Sequence, residues 1–351
     1  MSVPAVTDPT THPTYAPSAF QKAIEGMLYE ARDAVFVRLT LKVTAVMVPL
    51  IAVLYWRFEW WMAPIFWAIQ LPFLAPPVIL MLHCTMHRPF IRKPRVLNNV
   101  HRYLMSALFG IPTGYMEHHI GVHHAENNLR ADLSSTMRYQ RDNVLHWLVY
   151  LFHFLLFTHV ELTRYLSAKK RTGMLARAMI SDAVHITAMV LLAVFVNGPA
   201  TFVAFIAPYF TIRFMMMVGN WGQHAFLDPS RPGDSFVNSI TCINVAYNKR
   251  CFNDGYHIGH HIKQNRHWTE LPGDFLANVE RYAKEGCIVF EGLDFFMVSV
   301  LLFLHRYDVL AKHFVRLGAD QRTDAEVIEF LKSRVKRIPD DVPEGEIANA
   351  A

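Results

Sequence analysis

Imidazole is the chemically capable group that this chain concentrates. Three short segments are dense in it: His83-Cys84-Thr85-Met86-His87, His119-Ile120-Gly121-Val122-His123-His124 and His257-Ile258-Gly259-His260-His261. His224, in Asn220-Trp221-Gly222-Gln223-His224, is a further candidate. Neutral imidazole is a good ligand for iron, copper, nickel and zinc, so clustered histidines point to a transition metal. On an α-helix His83 with His87, His119 with His123, and His257 with His261 are four apart and share a face, and His260 lies within reach of His257's face. Adjacent histidines such as His123 and His124, or His260 and His261, diverge by roughly 100° and suit two ions better than one. The number of imidazoles exceeds the about four ligands of a tetrahedral zinc, and no His-Glu-x-x-His peptidase motif is present. The Glu-x-x-His of soluble di-iron bundles is absent too, so the implied ligand set is histidine-rich.

The order His-x3-His, His-x3-His-His, His-x2-His-His, with Asn-x3-His ahead of the last box, resembles the membrane fatty-acid desaturase superfamily over residues 39 to 275. The resemblance implies two non-heme irons held mainly by histidines at the cytosolic membrane face, where dioxygen is activated and an unactivated C–H bond of a fatty acyl chain is oxidised. Carried over residue by residue, it implies His83, His87, His119, His123, His124, His224, His257, His260 and His261 as ligands. Asn220 matches a position that in some relatives reaches the metal through water. Box two departs from many relatives in having three residues, rather than two, before its His-His pair, so His118 competes with His119 as ligand. No fused heme domain or ferredoxin is visible, which implies a separate electron donor of ferredoxin or cytochrome b5 type with its reductase.

General acid or base chemistry has no handle on an alkyl C–H bond, whereas a redox metal with dioxygen does. Desaturation is the leading outcome; oxidative decarboxylation of a free fatty acid to a terminal 1-alkene and hydroxylation are the alternatives. A non-enzymatic metal-binding or transport protein would place ionisable residues along a path inside the spanning helices, but the clustered histidines lie at helix ends. Glu117, Asp132, Asn253 and Asp254 lie near the boxes and are candidates to accept the outer ring N–H of an imidazole. Phe66, Phe73, Phe214 and Trp221 are candidates to line an apolar substrate tunnel. The isolated His101, His146, His153, His159, His185, His267, His305 and His313 read as structural or headgroup-level residues.

These residues need a scaffold, and the composition says where it lies. Hydrophobic residues make up 52% of the chain and charged ones 18%, below the roughly 25% of soluble domains. Residues 39 to 55 with 60 to 82, and 178 to 196 with 200 to 218, read as two transmembrane hairpins of about four spanning helices. Tyr55, Trp56, Trp60 and Trp61 crowd the first turn and Asn197-Gly198-Pro199 makes the second. Residues 103 to 115, 144 to 160 and 292 to 304 read as interfacial helices, since a lone crossing at 144 to 160 would put the third box on the opposite side from the others. The fold class is therefore an all-α integral membrane protein with a cytosolic histidine-rich cap. Basic residues flank the boxes while the two hairpin turns carry only Arg57, so the boxes and both termini are expected in the cytoplasm. The net charge of +5 also suits anionic lipid or an acidic donor. Four cysteines without paired spacing argue against disulfides. No phosphate loop is present, and no nucleic-acid partner is expected. Residues 1 to 30 read as a flexible segment, 31 to 315 as the membrane domain, and 316 to 351 as a short amphipathic helix, capped by Thr323 and Glu326, with an acidic tail.

Overall fold

Within a bilayer every backbone N–H and C=O must be satisfied inside its own segment, so long apolar runs fold as helices. The computed structural model describes residues 5–10, 18–111 and 114–342 and is mostly helical. Five helices are long and apolar enough to cross a membrane: Ala31–Trp56, Met62–His87, Val144–Ala168, Thr172–Phe195 and Gly198–Gln223. That is one candidate more than the four expected, because residues 144–168 form a single helix of 25 residues. Its hydropathy, 1.3, is the lowest of the five. Only 6% of the apolar window of Thr172–Phe195 is buried, although its hydropathy is 1.9. An apolar helix exposed on nearly all sides belongs in lipid, and the fold is that of an all-α membrane protein. Trp56, Trp60 and Trp61 are exposed at the turn after the first of these helices, as aromatic residues are at a headgroup boundary.

The contacts divide the chain into two units. One comprises His12–Ile120 and Thr163–Phe214. Here Tyr55 Oη lies 2.7 Å from Thr201 Oγ1, and Trp67 Nε1 donates to the Val203 carbonyl at 3.0 Å. A π-helical turn at Gln70–Leu74, containing Pro72, interrupts the second of the five helices. The helix resumes as Ala75–His87 and ends on the first histidine box. Arg88, the next residue, donates to Glu30 Oε1 at 2.7 Å and Asp33 Oδ2 at 3.0 Å, which pins the end of that helix. His101 is buried with its Nδ1 2.9 Å from Thr40 Oγ1, a structural role; burial pulls its pKa down to about 4.

The other unit comprises Met1–Thr11, Gly121–Leu162 and Met215–Ala351. It contains a feature not expected from the sequence, a parallel pair of strands, Ile240–Ile243 and Ile288–Glu291, with Ile240 opposite Ile288. Each is four residues and almost wholly buried, so neither shows the alternation that marks a strand. Parallel strands require a crossover, and this one carries the helix His257–Ile262, the third histidine box. Within the amino-terminal stretch expected to be flexible, Asp8 is buried and accepts from Tyr256 Oη and the Asn244 N–H, each at 2.7 Å. Helix Asp324–Arg334 has the capping box of Thr323 and Glu326 and buries Val327 and Leu331. The expected acidic tail falls largely on residues 343–351, outside the described residues. The four cysteines are free.

Arg141 ties this unit together from its centre. It is fully buried, and its guanidinium donates to the carbonyls of Thr136 at 3.1 Å, Tyr139 at 2.9 Å, Ala225 at 3.0 Å and Arg334 at 3.0 Å. Burial lowers its pKa to about 9, which still leaves it charged at neutral pH. Replacing it, Arg141→Met, should destabilise the protein by on the order of 3 kcal/mol, because several buried carbonyls lose their donor at once. Thermal unfolding of the purified protein in detergent checks this, and an unchanged midpoint would show that the carbonyls find other partners.

Candidate metal centre

Four histidines from three segments converge in the unit that holds box three and the end of box two. His123, His224, His257 and His261 each offer a ring nitrogen within 4.8 Å of the others, and all four are buried. His224 and His257 approach to 3.2 Å between Nε2 atoms, and His257 and His261 to 3.0 Å. Two nitrogens bound about 2.1 Å from one ion lie roughly 3.0–3.4 Å apart, so the spacing is that of ligands sharing a metal.

Hydrogen bonds at the outer ring nitrogens fix which nitrogen faces inward. His123 Nδ1 lies 2.7 Å from Asp132 Oδ2, His224 Nδ1 lies 2.7 Å from the Asn238 carbonyl, and His261 Nδ1 lies 3.0 Å from Asn127 Oδ1. A carboxylate and a carbonyl only accept, so the Nδ1 atoms of His123 and His224 carry the proton and their Nε2 atoms present lone pairs. The Asn127 amide is oriented by its own donations to the Gly233 carbonyl and Ser235 Oγ, so its oxygen faces His261. Burial, then the neighbouring imidazoles, lower the His224 pKa to about 3 and push that of His257 well down. Those two imidazoles are neutral, the form that binds metals. Asp132 is itself held by the Ser134 N–H and Oγ, both at 2.8 Å from its Oδ1. This donor set fits a divalent transition metal: four converging ring nitrogens and one buried carboxylate behind them.

The neighbouring histidines of each pair turn elsewhere, as their divergence around a helix requires. His124 and His260 face one another within the same unit, Nε2 to Nε2 at 3.1 Å. In the other unit His83, His87 and His119 form a triad with ring centroids 4.5–5.1 Å apart, and His87 and His119 approach to 3.1 Å at their Nε2 atoms. His83 and His87 share a face of a regular helix, as expected. Box two does not keep the α-helical register assumed for it. Residues 119–123 form a π-helical turn, and His119 and His123 point into different sets. His118 is buried but belongs to neither set.

Other expected partners lie elsewhere. Among the four candidates near the boxes, Asp132 contacts an imidazole. Glu117 pairs instead with Arg177 Nε at 2.9 Å. Asp254, its pKa raised to about 6 by burial, accepts from Tyr247 Oη at 2.7 Å and Gln223 Nε2 at 3.1 Å. Asn253 donates to the carbonyls of Pro9 and Trp268. Proximity in sequence does not fix direction where the chain turns through left-handed residues, as it does at Asn253 with φ 55°. Asn220 donates to the Ser134 carbonyl at 2.9 Å and Tyr150 Oη at 2.7 Å, one residue group away from Asp132. Of the tunnel candidates, Phe66 is buried. Phe73 is 65% exposed and Phe214 is 39% exposed. Trp221 is core: its Nε1 donates to the Arg141 carbonyl at 2.9 Å and its ring packs on Tyr150. Asn127 and Asn238 carried no sequence signal except their polar type near a box.

A family model described as "Fatty acid desaturase" matches residues 59–291, a stretch that takes in all three boxes and His224. No curated protein matches the chain. The different placements of His118 and His119 give a direct test: His119→Ala should lower the metal bound per chain, and His118→Ala should leave it near the wild-type value. Equal metal content in the two variants would show that the triad is not a binding set.

Proposed function

This chain belongs to the fatty acid desaturase family, and on that basis we propose that it is a dioxygen-dependent oxidoreductase that desaturates a fatty acyl chain at a centre of two irons. The family makes it an oxidoreductase-type enzyme acting on lipid, and its apolar helices suit a multi-pass membrane protein. The observation that carries the reading is the buried cage of four inward-facing imidazoles. We assign one iron to His123, His224, His257 and His261, and count His83, His87, His119, His124 and His260 as further ligands, nine in all. When bound, iron supplies the oxidation of a C–H bond by dioxygen that no side chain supplies alone. Dioxygen takes four electrons in becoming two waters. Two come with the hydrogens removed from the acyl chain and two, with two protons, from a separate donor of ferredoxin or cytochrome b5 type.

The chain's own residues do the holding. Asp132 and the Asn238 carbonyl fix the rings of His123 and His224, which keeps a basic nitrogen aimed inward without a proton to remove. Burial keeps the four rings from bulk solvent, so an ion held by them would act with little access for water.

Sidedness follows from parity. Box two and box three meet in one unit, since His123 and His261 rings are 5.2 Å apart. The chain between them must therefore cross the membrane an even number of times, although three candidate helices intervene. Val144–Ala168, the least apolar of them, is the one we place in the headgroup plane; it carries His146, His153, His159 and Glu161. Together with the basic residues beside the boxes, this supports a cytoplasmic side for the histidines and both termini.

Purified protein should contain about two irons per chain, because nine imidazoles exceed one ion's needs. One stoichiometric zinc with no iron would sink the assignment. Supplied with a reductase, a donor and fatty acyl substrates, it should form a double bond detectable by mass spectrometry. A terminal alkene one carbon shorter, or an alcohol, would reassign the outcome to decarboxylation or hydroxylation. His123→Ala, His260→Ala or His261→Ala should abolish product, whereas His153→Ala or His305→Ala should retain most of it. For topology, an impermeant thiol reagent should reach Glu59→Cys and Val196→Cys from one side and Lys169→Cys and Lys312→Cys from the other. Labelling of Lys169→Cys together with Glu59→Cys would mean that Val144–Ala168 spans.

A further inference from the structure

The geometry points to Asn127 as the positioning residue that holds three of the four cage histidines in register. This inference rests on the reading of the cage as a metal site and adds to it a residue outside the ligand set. Asn127 follows the short helix His124–Glu126 and adopts the left-handed conformation, φ 48°. Asparagine tolerates that conformation better than any other side chain except glycine. Its main-chain N–H donates to the His123 carbonyl at 2.7 Å. Its side-chain oxygen lies 3.0 Å from His261 Nδ1, and its main-chain carbonyl accepts from Asn238 Nδ2 at 2.9 Å. Asn238 in turn offers its own carbonyl to His224 Nδ1 at 2.7 Å. One residue thus reaches His123, His261 and, through Asn238, His224, which come from three separate segments.

The side chain and the backbone do different work, and the two are separable. The amide oxygen is kept on the His261 side because Nδ2 is engaged by the Gly233 carbonyl at 2.9 Å and by Ser235 Oγ at 3.2 Å. That oxygen sets the tautomer of His261: an Nδ1–H donating outward leaves Nε2 bare toward the cage. The left-handed backbone sets the links to His123 and Asn238. Asn127→Gly retains the left-handed backbone and both main-chain bonds but removes the acceptor. Asn127→Asp retains an acceptor at the same place.

The test uses full-length protein in detergent, stripped of metal and titrated with Co²⁺ in competition with a chelator, with the visible absorption of the bound cobalt recorded. Asn127→Gly should keep wild-type helical circular dichroism, bind the cage ion about 10–100-fold more weakly, the loss typical when a partner behind a ligand is removed, and shift the cobalt bands. Asn127→Asp should restore both affinity and bands. A merely structural role would lower stability in both variants without changing the bands. Wild-type affinity and bands in Asn127→Gly, or an equal loss in Asn127→Asp, would overturn the positioning role while leaving the metal reading intact. A wild-type chain that takes up no cobalt or iron would overturn both.

Discussion

Unprotonated ring nitrogens facing one another at 3.0–3.2 Å repel, and the rest of the structure depends on that constraint. Bare lone pairs cannot hydrogen-bond to each other, and within the cage His257, whose outer nitrogen is buried without a partner, has at most one proton to share between two neighbours. A cation would take up the converging lone pairs together. The hydrogen bonds behind the rings hold them in that crowded arrangement. Asp132 with Ser134, Asn238, and Asn127 with Ser235 form a hydrogen-bonded wall behind the rings.

That wall needs elements brought from distant parts of the chain. The crossover between two buried parallel strands delivers His257 and His261; the turn after box two delivers His123 and Asn127; the end of helix Gly198–Gln223 delivers His224. Arg141 joins the same segments from behind, by bonding carbonyls on both sides of the helix end at Ala225 and on the carboxy-terminal segment at Arg334. A guanidinium with several donors in fixed directions suits this better than any neutral side chain. The carboxy-terminal helix is thereby part of the support for the site, since Leu227 also donates to the Arg334 carbonyl at 2.9 Å.

Much of this was legible in the sequence, for identifiable reasons. Hydrophobic length marked the hairpins, and imidazole spacing marked the boxes, because both are properties of one segment read alone. The divergence of adjacent histidines foretold that His123 would part from His124 and His260 from His261. What escaped depends on direction set by distant segments. Asp254 and Glu117 sit beside boxes but satisfy Tyr247 and Arg177 instead. Asn127 matters through a backbone conformation that its residue type permits without announcing. The four-residue strands were invisible because strands buried on both faces lose the alternation that would reveal them.

The π-helical turn at His119–His123 bears on the extra residue in box two. A π-turn closes its hydrogen bond over five residues where an α-turn uses four, so it absorbs one added residue within a single turn and leaves the helix on either side in phase. Box two places its three intervening residues within that one turn, so the pitch of the backbone accommodates the His-x3-His-His spacing at the site itself.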